Sequence, residues 1–185
     1  MRVRSANRAD IPAMLELNHQ SPTAAHWSVQ QYESLFSENS SAGVSPASAA
    51  EPDPPLSQRT ILVAEDVSDT PAGASSARHR ILAFLVARRV DKEWELENIV
   101  VAEDSRRLGL GSRLLSDLIK HARTNHGNSI FLEVRQSNQS ARAFYNKLSF
   151  VEFASRKSYY ANPPEDAVLY RLALSHNETA PQIWH

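Results

Sequence analysis

Asn98-Ile99-Val100-Val101-Ala102-Glu103-Asp104-Ser105-Arg106-Arg107-Leu108-Gly109-Leu110-Gly111-Ser112 is the stretch that decides the fold. It opens as an apolar strand and closes on two glycines one residue apart, where a helical pattern begins. The chain holds only five glycines in 185 residues, so this pairing carries information. The first turn of a helix has unpaired N–H groups and the positive end of the dipole, a setting that suits a phosphate. Glycine there lets a ligand come close to the backbone, and Arg106 and Arg107 add cationic donors. A plain strand–helix turn with solvated arginines fits the same residues. Two nucleotide folds do not fit: no Lys-Ser/Thr follows to make a Walker loop, and Leu114 stands at the third glycine position of a Rossmann fingerprint.

Upstream, Arg80 to Val90 and Glu93 to Val101 flank Asp91-Lys92, which predicts an antiparallel hairpin. Thr60 to Glu65 reads as a strand before it, and the Ser/Ala/Gly-rich Ser68 to Ala77 as a loop between. At the N-terminus Arg2 to Ser5 suits a short strand. Ile11, Met14 and Leu15 then recur at helical spacing, with Asn7 or Asp10 to cap them and Pro12 in the first turn. After Trp27, Ser28 and Gln31 have capping-box spacing, and Tyr32, Leu35 and Phe36 supply an apolar stripe. Downstream of the glycines, Leu110, Leu114, Leu118 and Ala122 share one face of a helix reaching about Arg123. A buried strand (Ser129 to Val134), a helix (Asn138 to Leu148) and two strands (Phe150 to Tyr160, Ala167 to Leu174) follow. The pattern is a mixed α/β domain with one central sheet, spanning 1–174.

Residues 38–58 break it: five Ser, four Ala and four Pro among 21 residues, with Val44 and Leu56 the sizeable aliphatics. Such a stretch cannot bury enough apolar surface to offset its ordering entropy, and reads as a mobile insertion. The polar tail 175–185 reads as frayed. The net charge of −1 supplies no field to attract nucleic acid or an anionic membrane. The absence of cysteine excludes a disulfide framework, a thiolate metal site and a catalytic thiol. The seven histidines show no ligand spacing, so no metal is expected. Without a signal peptide or a membrane-length apolar run, the expected compartment is the cytoplasm.

Arg106-x-x-Gly109-x-Gly111, after the strand Asn98 to Val101, resembles the acetyl-CoA loop of the GNAT superfamily of N-acetyltransferases. Leu132-Glu133-Val134-Arg135-x-x-Asn138, Ala143-Phe144-Tyr145-x-x-Leu148-x-Phe150 and Tyr159-Tyr160 before Glu165-Asp166-Ala167 resemble the bacterial ribosomal-protein-alanine N-acetyltransferases (RimI type). The resemblance implies a mostly antiparallel sheet splayed in its middle, where the strand before the loop bulges, with helices on both faces. It implies acetyl-CoA as co-substrate, held by Ile99, Val100, Val101 and Arg106, Arg107, Leu108, Gly109, Leu110, Gly111 and Ser112, with Asn138 a cofactor-side contact. It makes Glu133 the general base and Tyr145 the general acid, and puts Trp27, Glu97, Tyr159 and Tyr160 at the acceptor. The implied acceptor is a protein N-terminal amine, the alanine of a small-subunit ribosomal protein; a small amine, or a CoA-binding module without turnover, are the alternatives. These residue types suit the chemistry: an N-terminal amine has a pKa of about 7.7–8.0, so a modest base keeps it neutral, and a phenol can protonate the departing thiolate.

Each residue also has a plainer reading. Alternation puts Glu133 on the opposite face from Leu132 and Val134, toward solvent. Glu95 and Glu97 suit a solvated face, with Glu97 the reserve base. Tyr145 suits a core aromatic, and Trp27 a staple for the second helix. Ser149 stands where relatives have glycine, so its turn must avoid positive φ or be strained.

Overall fold

The computed structural model describes residues 1–21, 24–25, 27–37, 58–66 and 80–175. Seven strands form one sheet in the order β1-β2-β3-β4-β5-β7-β6. They are β1 (Arg2–Ser5), β2 (Gln58–Asp66), β3 (Arg80–Val90), β4 (Glu93–Val101), β5 (Ser129–Arg135), β6 (Val151–Ala161) and β7 (Pro164–Ala173). All neighbours are antiparallel except β4 and β5. The helices are α1 (Ile11–His19), α2 (Val29–Ser37), α3 (Leu110–Thr124) and α4 (Gln139–Lys147).

Helices cover both faces. On one, Leu110, Leu114, Leu115, Leu118 and Ala122 of α3 pack with Leu85, Trp94, Leu96, Ile130, Leu132 and Tyr145. On the other, Met14 and Leu17 of α1 and Tyr32 and Leu35 of α2 cover Ile61, Val63, Phe84, Val86 and Val100. Fully burying one such aliphatic or aromatic side chain contributes about 1.5–3 kcal/mol. The hairpin at Asp91-Lys92 forms as the spacing predicts. So does the capping box of α2, where Ser28 N–H donates to Gln31 Oε1 at 2.8 Å and Gln31 N–H to Ser28 Oγ at 3.3 Å. Trp27 precedes that cap, and its ring lies 5.6 Å from the Tyr32 ring, the hydrophobic staple. Asn7 caps a short 3₁₀ turn ahead of α1, with Asp10 bonding back.

Several boundaries differ from the sequence reading. β2 runs two residues further back and one further on, because β3 is long enough to pair with all of it. β7 begins at Pro164 rather than Ala167, because the turn after Ala161 is tight. α4 starts at Gln139, Asn138 being its cap. Residues 38–57 lie outside the described residues and Gln58 opens β2; 68–77, and the tail beyond Ser175, also lie outside them.

Candidate active site

β4 and β5 pair over only four positions, from Glu93↔Ser129 to Leu96↔Leu132. Beyond Leu96, β4 continues beside β3 to Val101, and beyond Leu132, β5 continues beside β7 to Arg135. The two strands therefore fork in the middle of the sheet. The N–H and C=O groups on the open edges of the fork have no ladder partner there, and backbone groups of this kind need one.

A bulge prepares the fork. The β3–β4 register steps from Val86↔Asn98 to Ala87↔Leu96, leaving Glu97 as the extra residue. The inserted residue inverts the facing of the rest of β4. Trp94 and Leu96 point to the α3 face, whereas Val100 points to the α1/α2 face, and Ile99 and Val101 pack toward α3. Asn98, buried, donates from Nδ2 to Asn18 Oδ1 and to Ala25 O, both at 3.3 Å, which ties the start of the fork to the α1–α2 connection.

At the end of β4 a 3₁₀ turn (Glu103–Ser105) leads into the glycine loop. Arg107 (φ 63°) and Gly109 (φ 79°) both occupy the left-handed region, which accounts for glycine at 109. The first intrahelical bond of α3 runs from Arg113 N–H to Gly109 O at 3.0 Å. The amides of Leu110, Gly111 and Ser112 precede it, at the positive end of a 15-residue helix. Arg106, Arg107, Leu108 and Ser112 are exposed around this end. Gly111 has a packing reason of its own: a Cβ would lie 3.3 Å from Phe144 Cζ and 3.7 Å from Val101 Cγ2. Asn138 Oδ1 accepts from Ala141 N–H at 3.1 Å and Ser140 Oγ at 3.0 Å, so its oxygen holds the start of α4.

The fork separates two sets of side chains. Tyr145, on α4, is buried on the α3 side among Phe144, Phe150 and Tyr170, with ring centroids 5.3–6.2 Å apart. Burial first, and then the nearby Tyr160, push its phenol well above the ordinary tyrosine range. Glu133 projects from the opposite face, as alternation predicts, but it is not free in solvent. Its side chain is 22% exposed and pairs through Oε1 with Arg156 Nη1 at 2.7 Å. Tyr159 bonds to it as well, and that hydrogen bond, then burial, raise the Tyr159 hydroxyl. Burial, followed by the charge of Glu133, raises Tyr160. Glu133 borders a cavity of about 380 Å³ whose walls include Glu93, Glu95, Phe131, Phe153 and Arg156.

Glu97 departs from the solvated-face reading. It is 14% exposed and accepts from Arg59 Nε at 3.0 Å, with Arg88 Nε 3.6 Å away. Its carboxylate is already shared by two guanidinium groups, whereas that of Glu133 faces one. Sequence reasoning missed Arg59, Arg88 and Arg156: Arg59 reaches Glu97 across β3 and Arg156 reaches Glu133 across β7, Arg88 meets Glu97 across the β3–β4 bulge, and none of these leaves a local signal. Among the described residues no cluster of His, Asp and Glu stands where it could hold a metal, and no helix is long and apolar enough to cross a membrane.

A forked, bulged sheet beside a glycine-opened helix is the arrangement implied by the resemblance of Arg106-x-x-Gly109-x-Gly111 to the GNAT acetyl-CoA loop. The acetyltransferase (GNAT) family model matches residues 29–150, and the chain belongs to that family. It is 40% identical over 102 residues to the [ribosomal protein bS18]-alanine N-acetyltransferase of Salmonella typhimurium, covering 54% of this chain and 69% of the relative. For the Escherichia coli enzyme of the same name the figures are 38% over 98 residues, 52% and 66%. The matched part thus spans about two thirds of these relatives. The crystal structure of the E. coli ribosomal-protein-S18-alanine N-acetyltransferase superposes with a TM-score of 0.66 at 26% identity, covering 100% of this chain and 99% of that one. Ard1 from Thermoplasma volcanium shares the fold with a TM-score of 0.70 at 23% identity, covering 95% and 98%.

Proposed function

We propose that this acetyltransferase moves the acetyl group of acetyl-CoA to the N-terminal α-amine of a protein, the alanine of a small-subunit ribosomal protein. The observation that carries the reading is the fork, which joins a phosphate-suited helix end on one face to the half-buried Glu133 on the other. The names of the most similar relatives supply the acceptor. Amides and arginines of the 106–112 loop hold the pyrophosphate, with Asn138 on the same side. The open edge of β4 from Ile99 to Val101 holds the pantetheine arm and polarises the thioester carbonyl. The acceptor approaches from the side of Trp27, Glu97, Tyr159 and Tyr160. Glu133 takes the ammonium proton, directly or through a water, and the neutral amine attacks the thioester with no acyl-enzyme. Tyr145 delivers its proton to the departing thiolate and regains one as the attacking nitrogen sheds its second proton on becoming an amide. The test is turnover of acetyl-CoA against a panel of Ala-starting ribosomal peptides and a panel of polyamines, amino acids and aminoglycosides. Preference for the peptides supports the reading. Turnover confined to small amines overturns the acceptor, and turnover of nothing overturns catalysis.

A further inference from the structure

The tip of the β6–β7 hairpin is joined to the rest of the sheet by few backbone bonds. β6 pairs with β7 from Val151↔Arg171 to Arg156↔Ala167, then breaks, and resumes only at Tyr160↔Glu165 and Ala161↔Pro164. Between the two stretches Ser158 takes φ 51° and its N–H turns aside to Asp166 Oδ1 at 2.8 Å. The β5–β7 ladder ends at Arg135↔Ala167, and one further backbone bond, from Gln136 N–H to Asp166 O at 3.1 Å, follows it. Side chains add to it: Tyr159 hydrogen-bonds to Glu133, and Arg135 makes several contacts to the tip at once. Arg135 extends past the end of its own ladder and donates from Nη2 to Asn162 O at 3.0 Å and from Nη1 to Pro163 O at 3.3 Å. Nη1 also reaches Glu165 Oε2 at 3.2 Å, and the guanidinium lies 4.1 Å from the centre of the Tyr160 ring. Glu165 in turn accepts from the backbone N–H of Ser137, at the approach to α4. The pair is largely shielded, with side chains 20% and 17% exposed.

We infer that Arg135 is a positioning residue: it locks the Tyr159–Glu165 hairpin tip, and with it the Tyr160 ring, to the end of β5 and the start of α4, beside Glu133. The planar fork of arginine suits this, since it donates to two carbonyls and a carboxylate while stacking on a ring, which lysine cannot do at once. The inference rests on the acceptor role proposed for Tyr159 and Tyr160, so its test separates the two ideas. Compare wild type, Arg135→Lys and Arg135→Ala by steady-state kinetics with an acceptor peptide, by acetyl-CoA titration calorimetry, and by hydrogen exchange of residues 155–170.

The expected result is a KM for peptide raised tenfold or more in Arg135→Ala and less in Arg135→Lys. Acetyl-CoA affinity should stay within twofold, with faster exchange confined to the hairpin tip. Loss of acetyl-CoA affinity in step with peptide affinity, or exchange accelerated across the whole sheet, would reduce Arg135 to general stability and overturn the inference. So would an unchanged peptide KM in both variants, even with a loosened tip. If wild type acetylates no peptide, the acceptor reading fails. The exchange pattern then judges the lock alone, and a tip as protected in Arg135→Ala as in wild type refutes it.

Discussion

Ser149 shows a residue held in a conformation its side chain disfavours. It follows the cap of α4, and the bonds Ser149 N–H to Asn146 O and Phe150 N–H to Tyr145 O, at 3.0 and 3.1 Å, make a Schellman motif. The Phe150 and Tyr145 rings, 5.8 Å apart, supply the apolar contact that accompanies it. Ser149 sits at φ 65°, in the strained alternative that the sequence left open. Ser149→Gly is therefore expected to stabilise the protein by about 1 kcal/mol and to raise the melting temperature by about 2–4 °C in calorimetry. An unchanged or lower midpoint would mean the hydroxyl compensates. Gly127 is the opposite case. Its missing Cβ would lie 2.7 Å from the Trp94 ring, so Gly127→Ala should cost about 1–3 kcal/mol in denaturant melts. At this scale the sequence was half legible. Glycine at 109 followed from backbone geometry, whereas the packing of Gly111 on Phe144 depends on how α4 returns to α3, and nothing near residue 111 encodes that.

Elements were legible where periodicity is local. The α3 stripe, the hairpin at 91–92 and the α2 capping box all rest on residues within four positions of one another, and all appear where the spacing puts them. The bulge at Glu97 had no such signal from the residues themselves, since it shows only once β3 and β4 are in register; family resemblance anticipated it. The tie between β1 and the start of α1 was likewise hidden. Arg4 binds Asp10 at 2.7 and 2.8 Å and Glu65 at 2.9 Å. Burial pushes the Asp10 carboxyl up, but the Arg4 hydrogen bond, the Asn7 amide and the Arg4 charge outweigh it, so the net shift is downward. A carboxyl depressed by folding contributes stability that is present above its unfolded pKa of about 3.9 and is lost as pH falls through the lower folded value. Unfolding by urea at pH 7 and at pH 3 should therefore show a smaller acid-induced loss in Asp10→Asn than in wild type. Equal losses would show that the tie is neutral.

On the scale of the whole molecule, the proposed reaction uses the fork to let two faces of one sheet act on the same bond. In that proposal Glu133 works from the cavity side and Tyr145 from within the α3–α4 layer, so their failures should be separable. Glu133→Gln keeps the shape but cannot accept a proton, and acid–base steps are worth about 10²–10⁴-fold, so kcat at pH 7 should fall by that order. Acetyl-CoA binding, which the proposal puts on the other face, should stay within twofold by calorimetry. The deficit should shrink as pH passes about 8, where the acceptor amine loses its proton unaided. Tyr145→Phe removes the donor to the leaving thiolate, and a thiol in water ordinarily titrates at about 8.5. Wild type should show no matching alkaline loss from this residue, because burial pushes the Tyr145 phenol well above the ordinary tyrosine range. Where thiolate departure limits the rate, the variant should recover toward wild type above pH 8.5, and a solvent isotope effect on kcat should report that limit. Measured as kcat against pH from 6 to 9.5 on an Ala-starting peptide, the two profiles separate the roles. Near-wild-type turnover of Glu133→Gln at pH 7 would remove it as base and promote Glu97. Glu97 would then have to work while bound to Arg59, so Arg59→Gln should alter the profile only in that case.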